Sequence, residues 1–479
     1  MISKSISENK KRLIDKFNNT SDFVTYEFQN LSKIKMMICY IEGFIDRNIL
    51  DRDILESLIL NLKNRKDIRE FIMTSKINEV YAIDEVVNEI LYGKAVLLVE
   101  GEKIGYALEL NKWDKRAVEQ PQSESVVRGP KEGFIEDISV NKVLLRRKIR
   151  NNNLVFEDLR LGKQTQTTVS LAYIRGIVNE EVLKELKTRL DRIDTDAILE
   201  SADIEELIEE NPKSLIETVT NTEKPDIVAA KILEGRIAIF IDGTPHVLIV
   251  PRLFIEGIMS SEDYYIRSYF SSFLRILRTI ALLITIYLPG AFVALQLYHQ
   301  EMIPTVLLIS AAGAREGVPL PVTVEVLLMI ITLELTKESG LRLPKNVGST
   351  VSIVGTLVLG QAAVQAGLVS ALTVILISIT ALSEFIIPQL VHGIVIYRLI
   401  VTLCGGFFGV FGVTCAFLII TMQIVSLESF GVPFAWPIAP INKTGLKDTF
   451  IRVHRKHLIY RPKAIAKRNV RRRIPPKGE

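Results

Sequence analysis

Between Asn346 and Ser383 the chain runs for 38 positions without an Asp, Glu, Lys, Arg or His. Crossing the ~30 Å hydrocarbon core of a bilayer takes about 20 apolar residues, so this window holds one full span and has room for two. Two more runs repeat the pattern. Thr279 to His299 carries Pro289 and Gly290 as kink candidates, and Leu399 to Ser426 carries Gly405 and Gly409 in GxxxG spacing. Between them lie a short apolar stretch, Met302 to Ala314, of the length of a half helix, the turn AREGVPLP, and Val322 to Thr336 with Glu325 and Glu334 on it. Small residues recur four apart at Ala362 and Ala366 and at Ala363 and Gly367, with Gly367 as the point where a hairpin can turn. Gln361 and Gln365 share that stretch with Ala362, and amides at membrane depth either bond a neighbouring helix or line water.

The first half of the chain alternates differently. Lys33 to Gly43 reads as a buried strand followed by a helix from Asp51 to Leu62. Thr167 to Gly176 reads as another, followed by a helix from Asn179 to Ile193. Tyr40, Ile41 and Gly43 match Tyr173, Ile174 and Gly176 in spacing. Downstream, Gly93-Lys94, AVLLVE and Gly101 match Gly235-Arg236, IAIFID and Gly243. The pattern predicts two related α/β subdomains at 22–119 and 134–250, each a strand, two helices and a closing hairpin, after an N-terminal tail over 1–21. The matched glycines are expected at positive φ or in close packing. The linker at 120–133 is rich in Pro, Gly and Ser, and Arg128, Gly129 and Lys131 offer an alternative reading as an anion-binding loop.

Ser260 to Arg278 joins the two halves. Ser260 or Ser261 caps a helix whose first turn carries Glu262 and Asp263, with Tyr264, Tyr265 and Arg267 beyond, and Phe270, Phe273, Leu274 and Leu277 form an apolar stripe. This predicts an amphipathic coupling helix over 251–278 at the membrane interface, a transmembrane domain over 279–426 and a basic tail over 427–479. The fold class expected is therefore an α/β cytoplasmic N-terminal domain of two related subdomains, then an all-α multi-span transmembrane domain and a basic C-terminal tail.

Charge sharpens the picture. The last 38 residues hold 13 Lys or Arg against Asp448 and Glu479, a net of +11, so with a formal charge of +4 the other 441 residues sum to 4 − 11 = −7. Such a tail suits nucleic acid, but directly after an apolar block it reads as a juxtamembrane positive-inside signal. The first 20 residues lack the apolar core of a signal peptide, so both termini are expected in the cytoplasm and the crossings are expected to be even in number. Cys39, Cys404 and Cys415 show no CxxC spacing, and the five histidines form no HExxH. No metal, cofactor or enzymatic signature is expected.

Several motifs together carry a family resemblance: PQSESVVRGPKEGFIED, ILEGRIAIFIDGTPHVLIVP, EDYYIR, REGVPLP, ESGLRLPKNVG and VLGQAAVQAGLVS. The chain resembles the A subunit of spore germinant receptors, the GerA family, over nearly its whole length. A sporulation protein of the SpoVA group is similar in architecture and stays open as a paralogue. The resemblance implies a multi-pass subunit of the spore inner membrane that forms a homo-oligomeric cation channel. It would contact membrane lipid, a transporter-like B subunit and a lipoprotein C subunit, and no nucleic acid.

Three functional classes follow: a channel-forming receptor subunit or its ion-releasing paralogue, a secondary transporter suggested by the broken segments, and a membrane-anchored enzyme. For the first, Gln361, Ala362 and Gln365 are the expected pore or gating residues with Glu325 at one mouth. The alternative for Glu325 is an ion pair with Arg315 or Arg342. Ala363, Ala366, Gly367, Gly405 and Gly409 are expected to pack helices.

Overall fold

A computed structural model describes residues 1–60, 62, 68–72, 77–110, 121, 124, 128–342 and 360–472. Part of the expected linker and positions 346–359 of the longest uncharged window lie outside the described residues.

The first subdomain opens with α1 (Ile6–Lys16) and continues through β1 (Phe23–Gln29), β2 (Lys35–Ile41), β3 (Ile77–Val80), α2 (Ile83–Leu91), β4 (Ala95–Val99) and β5 (Gly105–Leu108). Its sheet runs β1-β2-β4-β5-β3, every neighbouring pair antiparallel. The second subdomain has α3 (Ile138–Lys148), β6 (Leu154–Leu161), β7 (Thr167–Ile174), α4 (Glu180–Asp191), α5 (Ser201–Ile208), β8 (Thr220–Thr222), α6 (Pro225–Ile232), β9 (Ile237–Ile241) and β10 (Val247–Val250). Its sheet runs β6-β7-β9-β10-β8, the same order with the same directions.

Strand side chains alternate between faces, and here both faces are covered. Met37, Cys39 and Ile41 enter one core while Met36, Ile38 and Tyr40 enter another. Leu171 and Tyr173 likewise part from Ala172 and Ile174. That is why these strands read as continuous apolar runs.

The six matched glycines all have positive φ: Gly43 and Gly176 at 79° and 86°, Gly93 and Gly235 at 93° and 103°, Gly101 and Gly243 at 89° and 92°. The correspondence extends to hydrogen bonds. Gly101 N donates to Lys4 O at 2.8 Å and Gly243 N to Glu136 O at 2.9 Å. Buried Asn9 and Asn141 each clamp the chain six residues before them through both amide atoms, onto Ser3 and Ile135. The expected N-terminal tail is therefore corrected: Ile2, Ile6, Leu13 and Phe17 are buried in the first core. The helix expected from Asp51 is a π turn, Leu50–Leu55, and a short α segment, Glu56–Leu60. The outer strands β1 and β6 precede the strand with which each subdomain was expected to begin.

The two subdomains are joined by a buried ion pair. Arg146 on α3 donates to both carboxylate oxygens of Asp22 at 2.8 and 3.0 Å and to the carbonyls of Asn151 and Leu154, while Ser21 N donates to Phe156 O at 2.9 Å.

The helical block comprises α7 (Ser268–Tyr298), α8 (Thr305–Arg315), α9 (Val322–Arg342), a turn of helix at 360–365, α10 (Ala371–Phe385) and α11 (Val391–Ser426). Among the described residues, the two stretches Ser268–Tyr298 and Gly393–Ser426 are long and apolar enough to cross a membrane if each runs straight. The second is folded back on itself. Gly409 has φ 61° and ψ −148° inside it, and Tyr397 donates to Gln423 Oε1 at 3.0 Å. In a straight helix 26 residues span about 39 Å, so the segments before and after Gly409 are antiparallel arms of about 25 Å each. The expected GxxxG packing is therefore corrected at Gly409, which is the hairpin tip and lies against Tyr298. Gly405 is the contact point: a Cβ there would meet Gly290 O on α7 at 2.3 Å.

Candidate functional site: the domain junction and the buried charges of the helical block

The coupling segment is not one amphipathic helix. Ser260 caps a 3₁₀ turn, Ser261–Tyr264, by accepting from Glu262 N at 3.4 Å while Asp263 accepts from Ser260 N at 3.2 Å. The chain straightens at Arg267, which is exposed, and α7 starts at Ser268. The reason is Asp263, whose exposure is 0%. It accepts from Arg275 Nε at 3.0 Å and from Arg278 Nη1 at 2.9 Å, about two and three turns into α7. A helix begun at Ser260 would carry Asp263 along its own axis and away from those guanidiniums.

Arg275 also donates to Asp448 Oδ1 at 2.8 Å and to Thr449 O at 2.9 Å. Asp448 accepts from the Tyr264 hydroxyl at 2.9 Å, and Arg452 donates to the carbonyls of Asp263 and Ile266. The guanidiniums of Arg275 and Arg452 lie 5.5 and 5.3 Å from the Tyr264 ring centre, within cation–π range. Burial raises the Tyr264 phenol well above its ordinary value, and burial also raises Asp448, against the opposing pull of Arg275. Tyr265 donates to Asp226 Oδ2 at 2.6 Å, and Glu262 accepts from Arg128 N at 3.0 Å. Thus Glu262, Asp263, Tyr264 and Tyr265 each bind a different element: the linker, α7, the segment after the hairpin, and α6.

The segment after residue 426 is folded too, a correction to the expected tail. Ile465 and Ala466 are fully buried, Ser429 Oγ donates to Thr218 O at 2.8 Å, and Lys467, Arg468 and Arg472 pair with Glu181, Glu180 and Glu234. Exposed pairs of this kind contribute about 0–1 kcal/mol each, so the buried apolar pair is the stronger anchor.

Within the helical block the structure pairs every carboxylate the sequence singled out. Glu325, 0% exposed, lies 3.6 Å from Arg315 Nε and accepts from Ser370 N at 2.6 Å, at the start of α10. This is the ion pair with Arg315 and corrects the placement at an open mouth; Arg342 pairs with Glu338 instead. Further along the same two helices, Glu334 and Lys337 of α9 meet Glu384 of α10 and Arg398 of α11. Arg398, 0% exposed, donates to Glu334 and, at 2.8 Å, to Glu384, while Lys337 Nζ is 2.6 Å from Glu384. Two cations and two anions close a neutral quartet across three helices. Sequence reading missed Arg398, Lys337, Asp448 and Arg452. Arg398 had a signal: it is the lone charge between His392 and Glu428, and such a charge demands a partner.

Gln361, Ala362 and Gln365 lie together on the turn of helix at 360–365, all exposed, as is Ala366, while Ala363 is half-buried. Gly367 has φ 67° and a Cβ there would meet Gly317 O at 3.1 Å, so the chain turns where the small residues cluster. Among the described residues no group of three His, Cys, Asp or Glu is placed to hold a metal.

The described residues thus form a pair of α/β subdomains joined through a charged junction to an apolar helical block. The chain belongs to the GerA family, described as Bacillus/Clostridium GerA spore germination protein, whose model matches residues 11–464. Spore germination protein KA of Bacillus subtilis is 38% identical over 94% of this chain and 84% of that protein. Spore germination protein B1 of the same organism is 38% identical over 93% of each, and its uncharacterized membrane protein YfkQ is 37% identical over 100% of this chain and 95% of its own length. A crystal structure of the N-terminal domain of the A subunit of the Bacillus megaterium spore germinant receptor GerK3 is 33% identical, covering 53% of this chain and 97% of that one, at a TM-score of 0.43.

Proposed function

We infer that the chain is the A subunit of a spore germinant receptor in the spore inner membrane, and that copies of it surround an axis to form a cation channel gated by nutrient. A transporter-like B subunit and a lipoprotein C subunit complete the receptor. The observation that supports the channel reading is the pairing of charges. The buried carboxylates Glu325 and Glu384 are compensated inside one chain, whereas Gln361 and Gln365 are exposed beside apolar helices. Exposed amides at membrane depth call for water or a neighbouring copy, and a ring of copies supplies both. In this reading Ala362 lies at the constriction and Glu325 braces the start of α10.

In this reading the chain before α7 and the chain after the hairpin, which pack on each other, lie on one side of the membrane, the cytoplasmic one, as the basic C-terminal segment favours. The junction at Asp263 then carries motion of the α/β domain straight into α7.

Planar-bilayer recording from reconstituted protein tests this. Unitary cation currents, altered in conductance by Gln361→Leu and Gln365→Leu, are the expected result. Saturable solute uptake without unitary currents would replace the channel with a secondary transporter.

A further inference from the structure

A cavity of about 70 Å³ lies where α6, the 3₁₀ turn at Tyr264 and the C-terminal segment meet. Its walls carry an excess of positive charge. Lys231, Arg236, Arg461, Lys463 and Arg472 line it against the three carboxylates Glu234, Glu256 and Asp448. Those carboxylates are already engaged: Glu256 with Arg236 and Lys231, Glu234 with Arg472, and Asp448 with Arg275 from outside the cavity. Burial alone would raise Glu256, but Arg236 and Lys231 hold it at about 2. Arg461 is lowered, by burial first and then by Arg472, as a guanidinium among surplus cations must be.

Two donors remain uncommitted. Arg236 is 1% exposed, and its Nε has no hydrogen-bond partner. Leaving such a donor bare in the interior is costly, and Arg236 lines this cavity. Lys463 has no ion pair among the described residues and stands at the exposed side. One water needs about 10–15 Å³ of such space, so the cavity takes several waters and has room for a small oxyanion.

We propose that this cavity binds a small free oxyanion of the charge and size of inorganic phosphate, held by Arg236 from the interior and by Lys463 from the C-terminal segment, while Arg461, whose Nε and Nη1 already donate to Leu233, Asn469 and Arg471, adds positive charge beside it. The bound anion ties that segment to the second subdomain beside the junction that grips α7. It therefore stiffens the contact through which the α/β domain reaches the helical block.

The test uses the full chain in detergent, titrated with sodium phosphate at constant ionic strength against sodium chloride. Thermal melting and amide exchange over 458–472 are followed together. The expected result is a saturable rise in Tm with slowed exchange in that segment, each measured against the same protein without phosphate, and an apparent Kd weakened at least tenfold in Lys463→Glu. Arg461→Gln serves as the second variant and is expected to weaken binding in the same direction. No saturable response in the parent overturns the proposal. So does an equal response in Lys463→Glu, which marks a general salt effect.

Discussion

The hydroxyl of Tyr397 and the amide oxygen of Gln423 are 3.0 Å apart although 26 residues separate them. That single hydrogen bond requires the last long apolar stretch to be a hairpin with its tip at Gly409, beside Tyr298, whose hydroxyl donates to Gly406 O at 2.9 Å. Cysteines introduced at 397 and 423, with Cys39, Cys404 and Cys415 replaced by Ser, should be joined within one chain by a short bifunctional thiol reagent. A straight helix would hold them about 39 Å apart and leave them unlinked within the chain.

Gly243 separates backbone strain from crowding. Its φ is 92°, and nothing lies within 4 Å of where a Cβ would stand. Gly243→Val should therefore destabilise the protein by about 1–3 kcal/mol through backbone conformation alone. Gly243→Asn should recover part of the loss, because Asn tolerates the left-handed region. Thermal melts of the two variants decide it, and equal stability of Val and Asn variants would contradict the positive-φ argument.

The central strands and their matched glycines were legible because full coverage of both sheet faces leaves an unbroken apolar run ended by a turn that needs glycine. The edge strand β1 was not: its burial is only partial along FVTYEFQ, so no run stands out. Helix α1 hid for a different reason. Its buried stripe of Ile6, Leu13 and Phe17 passes through Asn9, whose role as a clamp is visible only in three dimensions. The hairpin was masked by an ambiguity of glycine. Gly405, Gly406, Gly409 and Gly412 serve close helix approach and chain reversal equally well, and spacing alone does not separate the two. Asp448 and Arg452 sat in a basic segment that reads as solvated charge. Their partners, Arg275, Tyr264 and the Asp263 carbonyl, lie more than 170 residues away in sequence.

The quartet around Arg398 makes an asymmetric prediction. Removing one member leaves a buried charge unpaired, which costs about 3–5 kcal/mol, whereas replacing the opposed charges together is close to neutral. Arg398→Met should sharply lower the melting temperature in detergent, because Glu384 keeps only Lys337 and Glu334 loses its interior partner. Arg398→Met combined with Glu384→Gln leaves Lys337 to pair with Glu334, at 3.2 Å, and should recover most of the loss. If the double variant melts no higher than the single one, the four charges are not one unit.

Glu205 on α5 gives the protein a pH dependence of known sign. Burial, then the neighbouring Glu217 and Glu209, push its carboxyl up to about 8, and its Oε1 has no hydrogen-bond partner. An unfolded glutamate titrates near 4.3. Between those values the folded state holds a proton that the unfolded state has released, so stability falls as pH rises across that window. Glu205→Gln carries a neutral group of the same shape at every pH. The variant should melt like the parent near pH 5 and several degrees above it at pH 8, with a flatter profile between. A parent and variant whose melting temperatures run parallel from pH 5 to pH 8 would show that Glu205 is ionised throughout, and that the acidic face of α5 is stabilised by something other than a retained proton.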